Sequence, residues 1–168
     1  MKRICRILIC ILLVVATFAL VSCDDKPQAK QLSDLTLPRL KDNQAAVIIK
    51  NGDNDYVSYT VNLDKVGEGD VTAEDVIQYL HDEADLYLDW QNGTFGKFLN
   101  AIGGVVPNPN AANYEYVEVF TSNTAYQGTW AGVDKYEVGD VTLVAANYGV
   151  SELIVAAGDV IYFELATY

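Results

Sequence analysis

The sequence predicts an α+β domain in which one main helix packs across a mixed sheet, behind an N-terminal export segment and a polar linker. Three observations carry this reading. Residues 45–50 and 56–63 flank the turn-rich Asn51-Gly52-Asp53-Asn54-Asp55, and in the second run Val57, Tyr59, Val61 and Leu63 alternate with Tyr56, Ser58, Thr60 and Asn62. Alternation with a period of two is a strand with one buried face, so the two runs form a hairpin. Residues 72–85 then switch to a helical period, and several β-rich runs follow. The partition is residues 1–22 as signal, 23–43 as lipidated cysteine and linker, and 44–168 as the domain.

In residues 1–22, Lys2, Arg3 and Arg6 precede an apolar run from residue 7 to residue 21 whose one hydroxyl is Thr17. A membrane-spanning helix needs about 20 apolar residues, so this run suits a signal core better than a permanent anchor. It ends in Leu20-Val21-Ser22-Cys23, which resembles the bacterial lipobox. That resemblance implies a diacylglyceryl group on the Cys23 thiol and cleavage just before it. An ordinary signal peptide with an incidental cysteine, or an uncleaved anchor, is the alternative. Cys5 and Cys10 fall in the discarded segment, so Cys23 is left alone and can form no internal disulfide. The protein is thereby expected at the cell membrane, lipid-anchored and facing outside the cytoplasm.

The signal contains three of the 11 Lys and Arg and none of the 23 Asp and Glu, which leaves a net charge of −15 on the remainder. Residues 24–43 are neutral overall and contain Pro27 and Pro38, as a stalk would. Leu32, Leu35, Leu37 and Leu40 are spaced so that part of this segment can pack onto the domain instead, or form a short helix broken at Pro38. The excess charge sits beyond it, where Lys50, Lys65, Lys97 and Lys135 are the only strong cations. Such a domain repels phosphate, which excludes nucleic acid as a partner and disfavours anionic headgroups and nucleotides. Neutral or cationic partners remain.

Thr72 caps the helix, with Glu74 and Asp75 in its first turn, and Ala73, Val76, Ile77, Leu80 and Ala84 form the stripe that lies on the sheet. Further strands are expected over residues 114–121, 142–146, 153–155 and 159–166, with Ile161, Phe163 and Leu165 on one face of the last. Gly69-Asp70, Gly139-Asp140 and Gly158-Asp159 read as turns. A β-grasp arrangement fits this order of elements, as do other α+β layouts.

Enzyme signatures are weak. His81 is the one histidine and borders the helix stripe, a position more often structural than catalytic. No free thiol remains for Cys-His chemistry, and zinc ligands are lacking. Asp53 and Asp55 lack the ladder of a calcium loop, and Gly96-Lys97 is followed by Phe98 where a phosphate loop requires Ser or Thr. No metal and no cofactor are expected. The aromatics are the stronger signal: 11 Tyr and two Trp, all beyond the linker. Trp90, Phe95 and Phe98 sit among Gly93, Gly96, Gly103 and Gly104, while Tyr126 and Trp130 fall in a polar stretch. Aromatics on Gly-rich loops make walls for a ligand pocket, and these five are the candidate ligand-binding residues. Core packing is the competing reading for Phe98, and scattered surface residues for the others.

The helix, the segment "NGTFGKFLNAIGGV" and the closing "NYGVSELIVAAGDVIYFEL" together resemble the transcobalamin C-terminal-like domain found in bacterial surface proteins and lipoproteins. The resemblance covers roughly residues 44–168. It implies a β-grasp-like fold, no catalytic activity and, by analogy with the cobalamin carriers, a corrinoid as ligand. The chain departs from that pattern in lacking a helical partner domain and in an insertion over residues 122–140. The expected function is a non-enzymatic, surface-tethered binding module for a neutral organic ligand, a corrinoid among the candidates, feeding a transporter. An adhesion or assembly module contacting another surface protein is the second reading, and a carboxylate-dependent hydrolase the third. Replacing Cys23 by Ala should release the protein from the membrane or stall its processing; membrane retention at the wild-type level would contradict the lipid tether.

Overall fold

The computed structural model describes residues 30–168 apart from Ser33, Asn54 and Phe95; Cys23 and the signal segment lie outside the described residues. The strands are β1 (Lys30–Gln31), β2 (Gln44–Lys50), β3 (Tyr56–Asn62), β4 (Leu88–Gly93), β5 (Gly96–Ile102), β6 (Glu115–Thr121), β7 (Lys135–Val138), β8 (Val141–Ala145) and β9 (Val160–Thr167). The helix α1 spans Ala73–Ala84, and a 3₁₀ turn over Leu63–Lys65 follows β3. Seven strands form a mixed sheet in the order β1-β7-β8-β6-β9-β2-β3, and β4 and β5 form a separate two-stranded sheet. This is an α+β fold with one helix on a mixed sheet.

β2 and β3 make the expected hairpin, in antiparallel register from Gln44 opposite Asn62 to Lys50 opposite Tyr56. β2 also pairs in parallel with β9, Ala46 opposite Val160 through Ile49 opposite Phe163. Both central strands are buried on both faces, which explains their unbroken apolar runs. On one face Val47, Ile49, Ile161 and Phe163 pack with Val76, Ile77 and Leu80 of α1. On the other Ala46, Ile48, Val160 and Tyr162 pack with Phe120, Tyr136, Leu143 and Val144. Leu32 and Leu35 are buried in this second cluster, and Leu37 and Leu40 pack against it in a segment that forms no helix. The leucines therefore pack on the domain.

The second face is closed by curvature. β7 and β9 are three strand spacings apart in the sheet, about 14 Å if it were flat. The rings of Tyr136 and Tyr162 nevertheless lie 5.6 Å apart, so the β7–β8 hairpin folds back over β9. At this crossing Glu164, only 6% exposed, accepts a hydrogen bond from the Tyr136 hydroxyl at 2.5 Å and one from the Tyr162 hydroxyl at 2.9 Å. Lys50 Nζ lies 3.5 Å from Glu164 Oε2. Burial, reinforced by the Glu164 carboxylate, pushes both phenols far above their ordinary range, so they remain donors.

The helix begins in a capping box. The Thr72 side chain accepts from the Asp75 N–H at 3.2 Å, and Asp75 Oδ2 accepts from the Thr72 N–H at 2.9 Å. It ends at Asp85 in the left-handed region (φ 54°). His81 Nδ1 lies 2.8 Å from the Leu86 carbonyl, which can only accept, so the ring closes the helix end as a donor. The strand expected over residues 153–155 is a correction. Only Ile154 forms a bridge, to Thr72, while the carbonyls of Leu153 and Val150 accept from the first helical amides, those of Ala73 and Glu74. Alternating burial of Leu153 and Val155 imitates a strand, but the backbone there is spent on the open helix end. All three Gly-Asp glycines have positive φ, as turns require. Tyr136→Phe should lower stability by about 1–3 kcal/mol in urea unfolding, because it leaves one oxygen of a buried carboxylate without its donor; an unchanged midpoint would contradict the role given to this network.

Candidate functional site

Residues 88–102, expected to be aromatic-bearing Gly-rich loops, form the β4–β5 hairpin. Gly93 opposite Gly96 closes its turn, and Gly96 takes φ +100°. A Cβ there would meet Ser151 Oγ at 2.8 Å, so glycine is required by both conformation and space. A register shift between Asp89 and Trp90 leaves Asn100 without an opposite residue, and such a bulge twists the hairpin away from the main sheet.

The hairpin has two different faces. Trp90 and Leu99 pack toward the first core cluster. Lys97 Nζ sits 4.0 Å over the Trp90 ring and 2.9 Å from Glu74 Oε1 at the start of α1. The Ser151 hydroxyl donates to Glu74 Oε2 at 2.5 Å and accepts from the Lys97 N–H at 3.1 Å. Partial burial pushes the Glu74 carboxyl up, but the Ser151 hydroxyl and the Lys97 ammonium outweigh it and hold the group below the usual range. These contacts latch the hairpin to the helix.

Its other face, carrying Phe98, borders a cleft of about 1140 Å³ between β5 and β6, roofed by residues 106–113. Tyr87, Phe98, Tyr114, Tyr116 and Tyr168 line it, with Val106, Pro107 and Pro109. Phe98 is 64% exposed, Tyr114 69% and Tyr168 96%, so this much aromatic surface stands in water with none of the described residues covering it. The Tyr114 and Tyr116 rings stack at 6.2 Å and 19°. Glu115 Oε2 accepts the Asn108 N–H at 2.7 Å and so fixes the roof to β6. Burial, and then the Glu118 and Asp134 carboxylates, push the Tyr116 phenol up, which keeps it a neutral donor. Among the described residues, the charged side chains lining the cleft are Asp89 and Glu115, with no Lys, Arg or His. The arrangement offers flat apolar rings, amides from Asn100, Asn108 and Asn113, and negative charge.

Of the five aromatics singled out from sequence, Phe98 lies in this cleft. Phe95 lies outside the described residues. Trp90 is on the opposite face of the hairpin. Tyr126 packs edge-to-face on Tyr148 at 5.6 Å on the rim of the first cluster, and the half-exposed Trp130 ring lies over Gly128. The structure does not bring the four described ones together. Tyr87, Tyr114, Tyr116 and Tyr168 escaped sequence reasoning. The spacing of Tyr114 and Tyr116, two apart at the start of a strand, was the signal that would have placed them on one face.

Among the described residues no group of three or more His, Cys, Asp or Glu is arranged to hold a metal, and no helix is long and apolar enough to cross a membrane. No family model and no curated protein matches the chain. Among solved structures, it is similar to a suspected metal-binding protein from Ruminococcus gnavus at 13% identity and a TM-score of 0.49, over 75% of this chain and 98% of that one. It is also similar to haptocorrin in complex with Cbi at 11% identity and a TM-score of 0.47, over 79% of this chain. The match spans 27% of the haptocorrin chain.

Because the Glu74 carboxyl is held low in the folded state, its contribution to the latch is present above the unfolded value and lost as pH falls through the folded one. In a Trp130→Phe background, Trp90 fluorescence should therefore change below about pH 4.3. Glu74→Gln should remove that step; a step that survives the substitution would contradict the latch.

Proposed function

We propose that this chain is a non-enzymatic binding module, held outside a membrane by lipid on Cys23, whose cleft takes a bulky, neutral organic ligand. The observation that supports this most is the row of exposed aromatic rings lining a concave surface that, among the described residues, has carboxylates but no cation. Ligand sites are commonly about 300–1,000 Å³, so this cleft suits a large ligand or part of one. The sequence resemblance makes a corrinoid the first candidate, and lipid tethering beside a transporter would suit delivery for uptake. The second reading, contact with a partner protein, draws support from Tyr168 and Tyr114, which line the cleft and are both exposed to water.

Calorimetry with cobinamide and fluorescence titration with the uncharged probe Nile red test the module directly. Nile red should bind with a blue shift, cobinamide should displace it, and Phe98→Ala and Tyr114→Ala should each weaken binding at least about tenfold, or 1.4 kcal/mol. Trp130→Ala should leave it unchanged. Binding that ignores both cleft substitutions would move the site elsewhere, and displacement by no corrinoid would remove that candidate.

A further inference from the structure

The cleft is bordered by consecutive residues: Glu115, Tyr116 and Val117 on β6, and residues 98–101 on β5. Side chains alternate between faces along a strand, so a consecutive run can line a cleft only where the strand presents its edge. The hydrogen bonding of β6 identifies which groups that edge offers. Tyr114 O accepts from Tyr168 N at 2.9 Å, and Ser122 N donates to Val160 O at 3.0 Å, so the even-numbered residues of β6 face β9. The odd-numbered ones face away, as the bond from Ala146 N to Val119 O, 2.8 Å, shows.

On that outer side β8 pairs with Phe120 and Thr121 only. The chain then leaves β6 after Ala146, where Asn147 N turns to Tyr126 O. The N–H and C=O groups of Glu115 and Val117 thus point into the cleft with no backbone partner among the described residues. Unpaired strand edges are templates for a further strand, and natural domains commonly block them with Lys, Pro or a covering loop. Here exposed aromatic rings flank the edge, and the loop over residues 106–113 roofs the cleft through the Glu115 side chain, not through the β6 backbone.

We infer that the occupant of this cleft is an extended peptide segment that adds as a strand to the open edge of β6, with neutral alternating side chains and basic flanks. The inference rests on the second of the two readings of this cleft, contact with a partner protein, and names the class of that partner. Backbone bonds to Glu115 and Val117 supply register, and the rings of Phe98, Tyr114 and Tyr116 receive the side chains of one face. Asp89 and Glu115, unopposed by any lining cation, select basic flanks and reject acidic segments.

The probe is the acetylated, amidated heptapeptide Lys-Thr-Val-Thr-Val-Thr-Lys, titrated calorimetrically beside the same peptide N-methylated at its three central residues. The parent should bind and the methylated peptide should not. Val117→Pro removes one outward N–H while sparing the ladder to β9, so it should weaken the parent at least about tenfold while the circular dichroism of the sheet is unchanged. Equal binding of the two peptides, undiminished binding by the Val117→Pro protein, or no binding of the parent would overturn the inference. If that variant fails to fold, the pair of peptides decides alone. Nile red and cobinamide binding to the wild-type protein without peptide binding would overturn the strand but leave the binding module standing; failure of all three would remove both.

Discussion

β2 and β9 lie side by side in parallel register, and neither presents a face to water at its centre. A parallel pair buried on both sides needs two covers, and the rest of the chain supplies them. One cover is α1, capped at Thr72 and seated with Val76, Ile77 and Leu80 on the strands. The other is assembled from the curled β7–β8 hairpin and from Leu32 and Leu35. The Tyr136–Glu164–Tyr162 contact marks where that curl crosses β9. It joins the second cover to the central strands with polar groups whose burial would be costly if unpaired.

The curl has a consequence for β6. A strand that folds over the second face cannot also run the full length of β6, so β8 accompanies it for two residues and departs. Among the described residues no strand pairs with the outer edge of β6 at Glu115 and Val117, and the β4–β5 hairpin stands beside it, held at its back by Glu74, Lys97 and Ser151. The cleft is therefore a product of how the core is covered. Its walls combine a strand edge, aromatic rings and negative charge, and each of those traces to a particular stretch of sequence.

Much of the fold was legible. The β2–β3 hairpin, the helix with its Thr72 cap, β6, β8, β9 and the Gly-Asp turns follow from period, capping and turn chemistry at single-residue scale. Residues 153–155 misled because burial alternates there while the backbone serves α1. The β4–β5 hairpin was hidden by its composition: Asn92, Gly93 and Gly96 weaken the strand signal, and one face of the hairpin is left wet. The site was less legible still. Trp90 and Phe98 are eight residues apart on one hairpin, but a strand puts them on opposite faces, and only pairing register reveals that. Tyr168 reaches the cleft because β9 ends beside Tyr114, a contact no local pattern contains.

Amide hydrogen exchange along β6 reports directly on a strand edge left open on one side only. Tyr116, Glu118 and Phe120, which bond to β9, should be strongly protected, while Glu115 and Val117 should exchange orders of magnitude faster in the unliganded protein. Uniform protection from Glu115 to Thr121 would mean that the edge is already occupied, and would contradict the account of the cleft.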